Sequence, residues 1–519
     1  MPVTNTHEDY DKHINQWKRC RDAYEGEDTI KASNEKYLPL LTGHENAKDK
    51  KYIAYKERAL WFSATKRFVI GKLGAIFRKD TSYEGYDGEQ WDALFEDVTL
   101  TGMSMEQFER LVTRELTIVS RYGILADIAD ASEDRRPKLC GYMAENITNW
   151  ETGRVGSEIK LTMVVLREFD KRRDPDKADD PFARVIVTRY RELYLDPVAG
   201  EPDEDGNQSF DWIYRFRVWE EETNSDTQKK GWRVVDEGTP EVFGEVLDFI
   251  PFKFINALDH ETTPSDPSIL GLVDLNLDHY RMDADHKNGL HVSGNPTPVF
   301  AGFTFAKTDA EQDDDDSDFV PIGSEWGLTS EDANAKAYYM EFEGQGLDPL
   351  KVEKQDDEKR MAAMGARLLE QPVTQAEAAM AIQFKHAGEH GAMAGEVSII
   401  ETAIEDVLGW VAQMAAMPER TRAVGMNRDY FGGKMDPTML TAIVNAWLKG
   451  LYDDDVALWN LEQGEMLPPG DTVEDVKKRM SLKAPVIEPL PDDDDEDDDE
   501  EEEDDDDTEE ESDDRLAAS

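Results

Sequence analysis

The residues of this chain whose types and spacing come nearest to a reaction centre are His386, Glu389 and His390. They fit the H-x-x-E-H pattern, which on a helix sets both histidines on one face, able to share a zinc ion while the glutamate acts as base. The match is short, no third ligand is marked downstream, and Gly388 and Gly391 loosen the helix that would hold it. Two helix histidines without a metal are the favoured reading, with a zinc hydrolase as the lesser alternative. A second candidate, Glu201, Asp203, Asp205 and Gly206, opens like a calcium loop, but Trp212 stands where the bidentate glutamate belongs, so a hairpin turn is expected. No glycine-rich phosphate loop occurs. The nine scattered histidines define no Ser-His-Asp or Cys-His set. The sequence therefore points to a protein without catalysis, cofactor or metal.

The elements best able to position anything lie between 265 and 374. Asp266-Pro267 and Asp348-Pro349 each read as an N-cap followed by a proline at the first helical position, where the missing N–H costs nothing. From Ser268 to Val292, the apolar residues Ile269, Val273, Leu277, Tyr280 and Ala284 recur at helical spacing, and Asp274, Asp278, Arg281, Asp285 and Asn288 fall on another face. One side should pack and the other stay wet. A second helix, from Pro349 to Leu369, has a charged first half and an apolar end. Between the two, 293–347 holds strand-like runs, Thr297–Phe303 and Ala337–Phe342, around the acidic loop Asp313, Asp314, Asp315 and Asp316. The stretch reads as a helical hairpin carrying a small domain at its tip. Thr374 and Glu377 form a capping-box pattern that opens a third helix running to Met417, long enough that Gly388, Gly391, Gly395 and Gly409 should kink it.

Composition limits what such a hairpin does. Of 519 residues, 114 are acidic and 58 basic, for a net charge of −56; 21 of the acids fall in 492–514. Residues 1–491 still carry 93 acids against 57 bases, so the folded part is itself acidic. Tight DNA binding, which runs on Lys and Arg displacing counterions, is disfavoured; a passage through which DNA slides without sticking is not. Cys20 and Cys140 alone give neither a disulfide framework nor a Cys-rich metal site. The N-terminus lacks an apolar signal core and no 18-residue apolar run occurs, which predicts synthesis in the cytosol and no membrane span.

Elsewhere, residues 8–123 read as mainly helical, with amphipathic segments at Tyr52–Lys79 and Met105–Tyr122, Gly123 as the second one's C-cap and a strand at Ile124–Ile128. From 139 to 255 the period becomes two, as in ARVIVTRYRELYL and FDWIYRFRVWEE, which predicts an antiparallel sheet of hairpins joined to the helices as an α+β body. Three short helices are expected at Pro437–Lys449, Asp453–Glu462 and Asp471–Met480. The Asp/Glu run beyond Pro489 cannot bury apolar surface and is expected to be disordered.

With these segments in order, the chain resembles the portal, or head-to-tail connector, proteins of tailed bacteriophages. The likeness is carried by YKERALWFSATKRFVIGKLGAIFRK (55–79), DLNLDHYRMDADHKNGLHVSGNPTPVFAG (274–302), YMEFEGQGLDPL (339–350), KRMAAMGARLLE (359–370) and WNLEQGEMLP (459–468). The resemblance implies a portal fold: a wing or body at 1–265, stem helices at 266–292 and 348–369, and a clip at 293–347. It further implies a tunnel loop of Glu370, Gln371, Pro372, Val373 and Thr374, a long wing helix at 375–417, and a crown at 418–480. The tail, 481–519, is outside the shared pattern. The family implies a homo-oligomeric ring, usually of twelve, at one vertex of the virion. Double-stranded DNA passes through it, and its implied partners are the terminase large subunit, a head-tail adaptor and capsid or scaffold proteins, with host cytoplasm as the place of assembly. Channel-facing candidates are Asp274, Asp278, Arg281, Asp285 and Lys287. An acidic assembly chaperone of a basic partner is the competing non-enzymatic reading.

Overall fold

The computed structural model describes residues 2–128, 136–177, 179–200, 210–223, 230–242, 245–294, 297–303, 332, 334–340, 346–365, 376–418, 420–430, 437–464, 466–467 and 473–483. The chain is an α+β protein of two compact units, 1–431 and 432–519.

The first unit begins with helix α1 (Glu8–Glu25), which buries Tyr10, His13, Trp17 and Cys20 at helical spacing and carries Glu8, Asp9 and Asp11 at its electropositive end. Helix α2 (Glu27–Ala32) follows. The amphipathic segment expected at 52–79 is divided between two helices, α3 (Lys50–Arg58), capped by Asp49, and α4 (Ala64–Ile76). The break has a tertiary cause. The Leu60 N–H donates to Asp283 at 2.8 Å and the Phe62 carbonyl accepts from Asn276 at 2.7 Å, so side chains some 200 positions downstream take the backbone groups a continuous helix would have paired.

Strand β1 (Ser82–Glu84) and helix α5 (Glu89–Glu96) lead to α6 (Met105–Val119), opened by a capping box between Ser104 and Gln107. Ser120, at φ 58°, ends α6 in the left-handed conformation. Gly123 is therefore not its C-cap but lies inside strand β2 (Arg121–Ile128), where Phe252 and Ile147 press on the space a Cβ would need.

Strand β2 is the centre of a three-stranded antiparallel sheet with β3 (Pro137–Met143) on one side. The period-two region then forms a five-stranded antiparallel meander of β4 (Ile147–Val155), β5 (Glu158–Arg173), β6 (Arg184–Ala199), β7 (Phe210–Thr223) and β8 (Lys230–Gly238), in sequence order. A short hairpin of β9 (Glu241–Val242) and β10 (Glu245–Val246) precedes β11 (Phe252–Asn256), which leaves the meander and pairs with β2. The expected sheet is thus two sheets.

Helix α7 (Leu270–Ser293), strands β12 (Thr297–Ala301) and β13 (Lys336–Met340), and helix α8 (Leu347–Met364) form the hairpin with its tip. Helix α9 (Ala376–Met414) is 39 residues long. It buries Val397, Ile400, Ile404, Val407 and Val411 in the main core and packs on β2 and β11. Strand β14 (Ala423–Gly425) returns to pair with β1 within the first unit. The second unit holds α10 (Pro437–Leu448), α11 (Asp454–Gln463) and α12 (Val473–Lys483), within a few residues of expectation.

Candidate functional site

Helices α7 and α8 pack against one another in antiparallel register: Leu272 meets Met361 near the base, His279 faces Glu358 in the middle, and Gly289 faces Leu347 next to the tip. A Cβ on Gly289 would lie 2.5 Å from Leu347 Cδ2, so this glycine permits the close approach from which the tip strands depart. There β12 and β13 form an antiparallel ribbon, and every residue of β13 is exposed.

Neither helix is capped as the sequence suggests. Asp266 is drawn to His13 of α1 at 3.4 Å, the Ser268 N–H donates to Ser120 Oγ at 2.9 Å, and α7 starts only at Leu270. Helix α8 starts one residue before Asp348, at Leu347, with Gly346 at the cap position; Asp348 instead lies in the first turn, where its charge opposes the helix dipole's positive end.

The hairpin is held by buried polar groups on the apolar stripe of α7. Asn276 is fully buried; its Oδ1 accepts from Thr65 Oγ1 at 3.0 Å and from the Thr65 N–H at 3.3 Å. Asp283, also buried, accepts from the Leu60 N–H and Lys354 Nζ, with Lys287 Nζ at 3.5 Å. Burial alone would raise this carboxyl, but Lys354 and the Leu60 N–H outweigh it and hold the pKa below the ordinary carboxylate value. One carboxylate thus binds together the 59–63 linker, α7 and α8. On α8, burial pushes the Asp357 carboxyl up against the pull of Arg360, which donates to it at 3.0 Å.

The base of the hairpin is fixed by Arg121. Its guanidinium lies 4.6 Å from the Trp150 ring centre and 4.5 Å from that of Phe254, and donates to Asn256 Oδ1 and the Thr262 carbonyl, each at 2.9 Å. It thereby secures the turn that leads from β11 into α7. Burial pulls its pKa down to about 9.

Residues 268–415 match the family model described as a domain of unknown function, DUF4055. The span takes in both hairpin helices, the ribbon and the long helix. No curated protein matches the chain. Among solved structures it is similar to a chain in the neck of an empty GTA particle computed with C6 symmetry, with 11% identity, a TM-score of 0.34, and coverage of 74% of this chain and 85% of that one. It is also similar to a chain in the virion of a native gene transfer agent (GTA) particle, with 10% identity, a TM-score of 0.35, and coverage of 81% and 94%. Likenesses at these scores assign no role to the chain.

The expected wet face of α7 is largely engaged within the chain. Asp274 pairs with Arg19 of α1 at 3.2 Å, Arg281 Nε donates to the Tyr37 carbonyl at 3.0 Å, Asp285 accepts from Tyr55 Oη at 2.6 Å, and Lys287 turns to Asp283. Asp278 is exposed, and its charge raises the Asp357 carboxyl. Helix α8 is the more open partner, with Lys351, Val352, Glu353, Lys359 and Arg360 exposed.

Glu370, Gln371, Pro372, Val373 and Thr374 lie outside the described residues, as do Asp313, Asp314, Asp315 and Asp316 and the turn at 201–209. The strands flanking that turn, β6 and β7, pair directly as a hairpin, with Trp212 inside β7 opposite Pro197. His386, Glu389 and His390 fall within α9 as the pattern requires, but their side chains are outside the described residues. Asn276, His279, Asp283 and Lys354 are the residues sequence reasoning passed over. Their signal was present, since Asn276 and Asp283 sit at helical spacing with Val273, Tyr280 and Ala284, polar groups inside an apolar stripe.

Proposed function

We propose that this chain is a structural protein of a phage particle and, more finely, its portal: a ring at one capsid vertex through which double-stranded DNA enters and leaves. The observation that carries this reading is the antiparallel pair α7 and α8, tipped by a two-stranded ribbon whose β13 is exposed and followed by a 39-residue helix, in the order the motif resemblance implies. In this reading α7 and α8 are the stem, β12 and β13 belong to the clip, and α9 is the long wing helix. The terminase and adaptor dock on the clip, and capsid or scaffold proteins surround the wing. The protein supplies no catalytic step and needs no cofactor; translocation is driven by a separate ATPase. An acidic channel wall suits this task, because like charge keeps duplex phosphates from adhering.

Ring closure asks each copy for two complementary flanks, so that contact repeats until the circle closes. Native mass spectrometry of purified protein tests this. A closed oligomer at a fixed whole-number multiple of the 59.0 kDa chain is expected; monomers at every concentration and salt would contradict the proposal.

A further inference from the structure

Copies that each carry a net charge of −56 repel on the whole, so identical chains can meet only where the local charge differs. Two adjoining stretches of the first unit supply that difference. Residues 44–79 hold ten Lys or Arg against three acids, and residues 80–97 hold seven acids and no base. Helix α3 in the first stretch packs against α7, and α5 in the second packs against α6. Beside α3 lies a cleft of about 390 Å³ lined by His44, Lys50, Lys51, Ala54, Arg58 and Asn288, with no carboxylate among them. Its polar side chains present donors: the Leu41 N–H donates to His44 Nδ1 at 3.1 Å, which leaves Nε2–H for the cleft, and Asn288 Oδ1 accepts from Arg58 Nη1 at 3.4 Å. Asp49, nearby, is taken up by the N–H groups of Lys51 and Glu45 at 2.8 and 3.2 Å. Among the described residues, Lys50, Lys51 and Arg58 form no ion pair. On α5, Glu89, Ala93 and Glu96 are exposed on one face, with Asp97 beside them, and neither glutamate is ion-paired among the described residues. Arg136, Arg420 and Arg422 border the depressions next to α5 against Asp87, Glu89, Asp97 and Glu241, while Asp92 and Glu96 stand outside both, so the helix surface stays acidic. Arg422 is itself held by the Pro418 carbonyl and the Trp91 ring, 5.2 Å away.

We propose that copies of this chain touch through α3 of one copy and α5 of its neighbour, laid antiparallel. The spacing selects this occupant. Lys51 and Arg58 are seven residues apart, as are Glu89 and Glu96, about 10 Å along a helix in each case. Antiparallel alignment sets Lys51 opposite Glu96 and Arg58 opposite Glu89, with Lys50 at Asp97 and the one acid of α3, Glu57, at the neutral Gln90. Ala54 then meets Ala93 midway, where two methyl groups permit a short distance between the axes. A parallel alignment would instead set Ala54 against Asp92. Exposed ion pairs contribute little singly, so here they choose partner and register, whereas reversing them juxtaposes like charges at a larger cost. Because α3 and α5 are different surfaces, the contact is heterologous and repeats from copy to copy, the kind that closes a ring. Closure rests on the portal reading above; the contact itself is tested separately.

The test uses the full-length chain and two charge-reversed variants, Lys51→Glu/Arg58→Glu and Glu89→Lys/Glu96→Lys, with circular dichroism to check that each folds. Native mass spectrometry at low ionic strength should show either variant alone assembling only at concentrations about tenfold or more above the wild type. An equal mixture of the two, and a single chain carrying all four changes, should recover wild-type assembly, since opposite charges face each other again. Independently, Ala54→Cys and Ala93→Cys proteins mixed under mild oxidation should give a disulfide dimer that maps to 54 and 93 and that neither protein forms alone. Wild-type assembly by either reversed variant, no recovery in the mixture, or no cross-link between 54 and 93 would overturn the contact; if wild-type rings are still seen, the portal reading survives it. Wild-type monomers that nonetheless cross-link at 54 and 93 would uphold the contact and contradict the ring. Monomers without that cross-link would overturn both.

Discussion

Asp283 is where a single residue decides most. Its carboxylate is buried and compensated by Lys354, Lys287 and the Leu60 N–H, so removing its charge leaves an ammonium of α8 facing a neutral group in a poorly solvated place. Asp283→Asn should destabilise the first unit by roughly 3 kcal/mol in urea unfolding, whereas Asp278→Asn, at an exposed position, should change stability by less than about 0.5 kcal/mol. Glu109 makes a second prediction. It is fully buried on α6, and burial raises its pKa to about 7 although Tyr83 Oη at 2.7 Å and Thr81 Oγ1 at 2.8 Å donate to it. A carboxyl whose folded pKa lies above its unfolded value of 4.5 holds its proton longer in the folded state, so stability falls as pH rises from 4.5 through about 7. Glu109→Gln, whose Oε1 keeps one accepted bond while its Nε2 donates to the other hydroxyl, should abolish that slope and be the more stable protein at pH 8 by roughly 3 kcal/mol. Chemical denaturation at pH 5, 6.5 and 8 checks it. Of these groups the sequence marked only the type: Glu109 looks like any helix carboxylate until Tyr83 and Thr81 are seen to close over it.

At the scale of elements, what was legible depended on whether a segment's partners lay within it. The alternation in β5 to β8, the periodicity of α6 and the helical reading of α9 rest on local signals, and all were readable. The break at 59–63 was not, because Asn276 and Asp283 impose it from α7. The two Asp-Pro openings failed for a related reason: His13 and Ser120 compete at the first, and a helix start one residue earlier displaces the second. The assignment of β11 to the β2 sheet was equally hidden, since period two names a strand but not its neighbour. Glycine positions give the test at this scale. Gly289→Val should pry the hairpin open next to its tip and cost about 1–3 kcal/mol, because Leu347 already fills the space. Gly391→Ala in α9, where an added Cβ meets nothing within 4 Å, should raise the isolated chain's stability by about 0.5–1 kcal/mol. Thermal unfolding of the two variants side by side reads both signs.

For the whole molecule, charge and architecture argue together. An acidic chain with an α7/α8 hairpin suits a wall that passes nucleic acid better than one that grips it. The acidic run 492–514 is not required by this account, so its deletion should leave assembly intact; an acidic chaperone would instead lose its main activity. The most direct test is electron microscopy of the purified full-length protein, with class averages viewed along the symmetry axis. The account predicts a closed annulus of identical subunits around an open central channel wide enough for duplex DNA. Particles that remain single chains under all assembly conditions, or assemblies without a central opening, would contradict it.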